Sequence, residues 1–146
     1  MTDLKSKEIR SEITSEGKLN LSIVTSDVPT PGDDDVLIKV EASPINPSDL
    51  GLLISFAADL DSISSQGSGE DTVTTMGIHP GLMQSMKPRI DKSMKVGNEG
   101  GGVIVDAGKN VKNLIGKTVG VAGGAMYSQY RCLPAISCLV MNEGTT

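Results

Sequence analysis

The sequence has little aromatic content: one phenylalanine, two tyrosines and no tryptophan in 146 residues. Its core must therefore be aliphatic, and it offers no platform on which nucleic-acid bases could stack. A basic excess is also lacking, with 13 Lys and Arg against 18 Asp and Glu and a net charge of −5. That balance repels polyphosphate, and no basic cluster opposes it, so nucleic acid is excluded as a partner. No apolar run approaches the ~18 residues a spanning helix needs, which excludes a helical membrane protein. The opening MTDLKSKEIRSEITSEGK is charged throughout and reads as no secretory signal. Cysteine and histidine are scarce: Cys132, Cys138 and His79 are all there are. A disulfide scaffold needs more thiols, and a structural zinc needs about four N or S ligands. The simplest expectation is a reducing cytoplasm, with the two cysteines as small buried hydrophobes and the histidine in a loop.

The length is that of one domain. Lys18–Thr25 alternates with Leu19, Leu21 and Ile23 on one face, which predicts a half-buried strand. Val28–Asp35 is a turn rich in Pro, Gly and Asp, and Val36–Ala42, apolar on both faces near its start, predicts a more central strand. Residues 58–79 hold serines, glycines and acids with no surviving period, and predict a mobile surface loop. From His79 to Arg89 a short helix is predicted, with Leu82, Met83 and Met86 along an apolar stripe and Pro88 stopping it. Strands are predicted over Val103–Ala107, Lys117–Ala122, Ala125–Cys132 and Ser137–Met141. Many short strands with Gly and Pro turns predict a mainly β barrel or sandwich. The closing Asn142–Thr146 reads as a turn whose threonines suit the cap of a helix, so a linker is expected to begin there.

Glycine is plentiful, at 17 residues, and invites a nucleotide-binding reading that the spacing refuses. Gly116-Lys117-Thr118 would close a phosphate-binding loop only with glycine at 111, where Val111 stands. A dinucleotide fingerprint starting at Gly100 and Gly102 meets Val105 instead of a third glycine, and no long helix follows. Gly100–Gly102 is better explained as backbone needing an unusual φ or a close approach at a bulge.

Two motifs carry a family likeness: Pro44-Ile45-Asn46-Pro47-Ser48-Asp49-Leu50 and Val96-Gly97-Asn98-Glu99-Gly100-Gly101-Gly102-Val103, with VLIKVEAS before and GKTVGV after. Together they resemble the N-terminal, GroES-like catalytic domain of the medium-chain dehydrogenase/reductase superfamily, in its zinc-free quinone oxidoreductase and enoyl thioester reductase branch. The likeness runs over residues 8–56 and 80–146. It implies a GroES-like, partly open β-barrel with one or two short helices, normally followed by a Rossmann domain that holds NADPH. It also implies hydride transfer to a quinone, an enone or a related carbonyl-conjugated acceptor.

Zinc members carry cysteine where Asn46 stands and histidine where Asn98 stands. Amides are poor zinc ligands, so the resemblance implies no zinc. By the same resemblance Asn46 faces the nicotinamide, Ser48 sits where a hydroxyl relays a proton, and Glu99 is a buried acid beside the site. Asn98 joins Glu99 at the substrate cleft, and Tyr127 falls where relatives carry an aromatic lining it. Asn46 before proline also suits a turn, and Ser48 also suits the cap of a short helix starting near Pro47. Enoyl thioester reductases donate a proton from a tyrosine soon after the Asn-Pro motif, yet residues 49–95 contain none.

The cofactor domain is thus expected elsewhere, in cis or on a partner subunit, with no NADPH held by this chain alone. The alternative is a stand-alone GroES-like binding or assembly module without redox activity. Uncovered cleft residues around Asn46, Asn98 and Tyr127 would favour a homo-oligomer.

Overall fold

The structure, a computed structural model, describes residues 4–142 and Gly144. Its first element is β1 (Lys5–Ile13), a strand that hydropathy alone does not announce. Ser6 and Glu8 point inward, then Ser11 and Ile13 after a change of parity, so polar side chains fill three of the four inner places. β2 (Lys18–Asp27) follows as predicted, with Leu19 fully buried and Leu21 half-buried, but Ile23 turns outward at 40% exposure. β3 (Asp35–Ala42) is paired along both edges, and it buries Val36, Leu37 and Ile38 in succession, so side chains on both of its faces are covered.

The only α-helix among the described residues is α1 (Pro47–Leu53), at the Asn-Pro-Ser-Asp motif. Residues 58–79, expected to be a loop, instead form a hairpin of β4 (Ala58–Gln66) and β5 (Val73–Ile78) around a 3-10 turn at Gly69–Asp71. No period shows in β4 because it is an edge strand that stays largely exposed; it is held by pairing to β5, which buries Met76 and Ile78. The helix expected over His79–Arg89 is broken into 3-10 turns at Pro80–Leu82 and Lys87–Arg89, each with a proline at its start. The apolar stripe is used all the same: Met86 is buried, and Leu82 and Met83 pack against the same cluster.

The remaining strands are β6 (Met94–Lys95), β7 (Gly100–Ala107), β8 (Thr118–Val121), β9 (Tyr130–Pro134) and β10 (Cys138–Val140). The strand expected from Ala125 thus starts at Tyr130; Ala125 has φ +60°, which a strand does not allow. Among the described residues two five-stranded sheets result, in the orders β4-β5-β2-β1-β6 and β10-β8-β7-β3-β9.

The chain divides into two compact units. One gathers residues up to Glu8, Thr25–Ile45 and Gly97 onward; the other holds Ile9–Val24 and Asn46–Val96. The core of the first is Val36, Ile38, Ile104, Val119, Val121, Met126 and Leu133, with Ala107. That of the second is Ile13, Leu19, Met76, Ile78 and Met86, with Ala57. Both are aliphatic and methionine-filled, and the sole phenylalanine, Phe56, is 71% exposed. The turn and cap read at 143, 145 and 146 lie outside the described residues.

Candidate functional site

In the second unit the functional motif opens α1. Asn46 is its N-cap, in extended conformation, and Pro47 supplies a first residue whose missing N–H costs nothing there. Asp49, 1% exposed, closes a capping box: its Oδ2 accepts the Asn46 N–H at 2.7 Å. Ser48 is therefore the second helical residue and not the cap, and it is exposed.

The other end of α1 is held by Arg89. Its Nη2 donates to the Leu52 carbonyl at 2.8 Å and to Ser11 Oγ at 3.1 Å, and its Nη1 to the Gly51 carbonyl at 3.3 Å. Ser11 Oγ in turn donates to the Leu53 carbonyl at 3.0 Å. A cation on the last carbonyls of a helix also meets the negative end of its dipole. Burial lowers the Arg89 pKa from its ordinary value, and its Nε is buried without a hydrogen-bond partner. The Asn46–Leu53 segment is thus tied at both ends by groups from its own unit.

In the first unit the second motif forms a tight corner. Gly97 has φ +90°, and a Cβ there would lie 2.5 Å from Tyr127 Cδ1, so the tyrosine ring rests directly on glycine backbone. The Tyr127 hydroxyl donates to the Pro44 carbonyl at 2.9 Å, and Ser43 Oγ donates to the Met126 carbonyl at 2.9 Å. Asn98 is half-buried, and its carbonyl accepts the Gly124 N–H at 3.1 Å. Glu99 is exposed, where a buried acid was expected. The buried acid of these motifs is Asp49, three residues after Asn46.

Glu99 borders an open apolar groove of about 400 Å³. Its floor is a cross-strand row, Ala42–Gly101–Gly120–Leu139, running over β3, β7, β8 and β10. The expected close approach at the glycine run is present: a Cβ on Gly102 would lie 2.0 Å from the Lys39 carbonyl oxygen, beside a register shift between Val40 and Ala42.

The structure therefore brings Asn98, Glu99 and Tyr127 into one unit and Asn46 with Ser48 into the other. Asp49, Arg89 and Ser43 went unread in the sequence. Asp49 had a signal, an acid at the third helical position after Asn-Pro; Arg89 and Ser43 act through backbone carbonyls and leave none. Among the described residues no group of three or more His, Cys, Asp or Glu side chains gathers as a metal site. Cys132 and Cys138 are free and half-buried. Burial raises both thiol pKa values, and the carboxylates of Asp35 and Asp106 add to the rise at Cys132 against an opposing Arg131.

A dinucleotide does not fit the described residues alone. The one α-helix is seven residues long, and its N-terminal end is closed by the Asp49 carboxylate, which would repel a phosphate. The glycine run leads into β7, not into a helix.

No protein-family model and no curated protein matches the chain. Solved structures do. A Bacillus thuringiensis protein described as an NADPH:quinone reductase superposes with a TM-score of 0.63 at 19% identity over 99% of this chain. A Mesorhizobium loti protein of the same description gives 0.57 at 23% identity over 100%. The chain has the GroES-like, mainly β fold of the matching part of these structures. A mycobacterial protein solved in complex with NADPH shares it, with a TM-score of 0.58 at 17% identity over 97% of the chain. The GroES-like chain spans 35%, 39% and 34% of the length of these three proteins.

Proposed function

We propose that the chain is the catalytic-domain portion of a zinc-independent, NADPH-dependent oxidoreductase. Its acceptor is a quinone, an enone or a related carbonyl-conjugated compound. The observation that carries this reading is the match of essentially the whole chain to about a third of the length of two structures described as NADPH:quinone reductases. Zinc independence is supported by Asn46 and Asn98, whose amides bind that metal poorly. NADPH, which supplies hydride, is held by a domain in cis or by a partner subunit, since the described residues build no phosphate cradle.

In this reading α1 presents the Asn46 carboxamide to the nicotinamide amide and the Ser48 hydroxyl to the acceptor. The capping box and Arg89 keep that helix from shifting, which matters because small misplacements of positioning groups are costly in rate. Tyr127 acts as a wall: its hydroxyl already donates to Pro44, so giving up a proton would require breaking that bond. Asn98 and Glu99 line the acceptor side. A reducing compartment such as the cytoplasm suits the two free thiols.

The test is a calorimetric titration of NADPH into the 146-residue chain, alongside a 1,4-benzoquinone-dependent NADPH oxidation assay on the product of the complete reading frame. The expected result is no binding to the chain at millimolar cofactor and steady oxidation by the complete product. Absence of both binding and oxidation in the complete product overturns the reading and leaves a GroES-like binding or assembly module. Micromolar binding by the 146-residue chain would overturn the assignment of the cofactor site to another domain.

A further inference from the structure

The pairing of β3 with β9 stops short of both functional motifs. Its last pair is Lys39 with Tyr130, and one further backbone bond runs from Val40 N–H to the Gln129 carbonyl at 2.9 Å. Beyond that point the partner segment turns, with φ +74° at Gly124 and φ +60° at Ala125. For alanine this left-handed conformation is strained, and such strain persists only where the surroundings over-determine the backbone.

The surroundings here are the two motif segments. Toward 43–44 side chains take over from the ladder: Ser43 Oγ donates to the Met126 carbonyl and the Tyr127 hydroxyl to the Pro44 carbonyl, both at 2.9 Å. Toward 97–98 the backbone does the same work. Met126 N–H donates to the Gly97 carbonyl at 3.0 Å, and Gly124 N–H to the Asn98 carbonyl at 3.1 Å. Met126 is fully buried in the core of the first unit, whereas Tyr127 is half-buried and stands outside that core. The tyrosine spends its side chain on the motifs instead, its ring on Gly97 and its hydroxyl on Pro44. These are the points where the chain leaves the first unit, after Ile45, and re-enters it, at Gly97. Asn46 is the second residue past Pro44, and Asn98 directly follows Gly97.

We infer that Tyr127 is a positioning residue for the proposed hydride transfer, tying the backbone that leads into Asn46 to the corner that carries Asn98. It holds both approaches at once, so the two carboxamides keep their places while the cofactor and the acceptor react. The positioning role rests on the redox reading; the tie itself does not.

The test has two arms, each with Tyr127→Phe, which loses only the Pro44 bond, and Tyr127→Ala, which also loses the ring on Gly97. In the 146-residue chain, amide order parameters from nitrogen relaxation report local motion and do not follow a loss of global stability. Tyr127→Phe should lower the value at Ile45 from about 0.85 toward about 0.6, and Tyr127→Ala should lower those at Gly97 and Asn98 as well. Ile104, whose N–H donates to the Lys117 carbonyl in the sheet, should stay rigid in both. In the product of the complete reading frame, Tyr127→Phe should lower kcat for 1,4-benzoquinone-dependent NADPH oxidation about ten- to a hundredfold. The isotope effect with NADPH deuterated at nicotinamide C4 should rise, because hydride transfer becomes the slow step; a smaller folded fraction leaves it unchanged. Should Tyr127→Ala unfold, Tyr127→Phe alone decides. An Ile45 order parameter equal to the parent's in folded Tyr127→Phe overturns the tie. A parental kcat, or a lowered one with the parental isotope effect, overturns the positioning role. A parent that oxidises no NADPH overturns the redox reading and the positioning role with it, and the order parameters then still decide the tie.

Discussion

Replacing Gly97 by alanine tests whether the glycine corner holds Tyr127. Two costs arise. At φ +90° an L-residue is strained, by roughly 1–2 kcal/mol. The new methyl would also lie 2.5 Å from Tyr127 Cδ1 and 2.6 Å from its backbone nitrogen, closer than carbon atoms approach. The ring must therefore move, breaking the 2.9 Å bond from its hydroxyl to Pro44, worth about 0.5–1.5 kcal/mol. Together these give a loss of about 2–3 kcal/mol, a large share of the ~5–15 kcal/mol that holds a domain folded. Tyr127→Phe alone removes only the hydrogen bond and should cost ~1 kcal/mol. The double variant should lose about 1 kcal/mol less than the sum, because the bond can be broken only once. Urea unfolding followed by circular dichroism reads each loss as a midpoint shift. Tyrosine emission adds a local probe, since Tyr127 and Tyr130 are the only fluorophores of that kind. A Gly97→Ala midpoint equal to the parent's, or strict additivity in the double variant, would refute the account.

Arg89→Met removes the donors on the last carbonyls of α1 and should destabilise the chain by about 1.5–3 kcal/mol, with Arg89→Lys recovering only part; urea unfolding checks both. The Cys132 and Cys138 thiols, raised by burial, should react with a disulfide reagent more slowly than free cysteine at pH 8, and at the free rate after unfolding. With folded-state values above the unfolded one, the native state holds the thiol protons longer. Stability from this source is complete below the ordinary thiol pKa and falls as pH rises past it toward the folded value, which a urea series from neutral to alkaline pH detects.

How far the fold was legible depended on whether burial and hydropathy agree. β3 was readable because Val36, Leu37 and Ile38 are all apolar and all inside. β1 was not, because Ser6, Glu8 and Ser11 take inner positions and Ser26 Oγ donates to Glu8 there at 3.1 Å. β4 was hidden for the opposite reason, since an exposed edge strand has no inner face to mark. Local signals at α1 were strong, yet Ser48 and Asn46 both suit a cap, and only the backbone at Asn46 decides between them. The candidate residues followed from motif likeness, whereas the groups that hold them did not. Arg89 and Ser43 work through carbonyls that every residue possesses, so no sequence pattern points to them.

The discontinuity of the first unit has a consequence during synthesis. Its central strand, β3, pairs only with β7 and β9, both of which lie in the segment from Gly97 onward. On the ribosome β3 therefore emerges with neither neighbour made, while the second unit, complete by Val96, has all its parts. At ~5–20 residues per second the wait lasts on the order of several seconds. Throughout it Val36, Leu37 and Ile38 stand in water on a nascent chain, an apolar run suited to a holdase chaperone and hazardous without one.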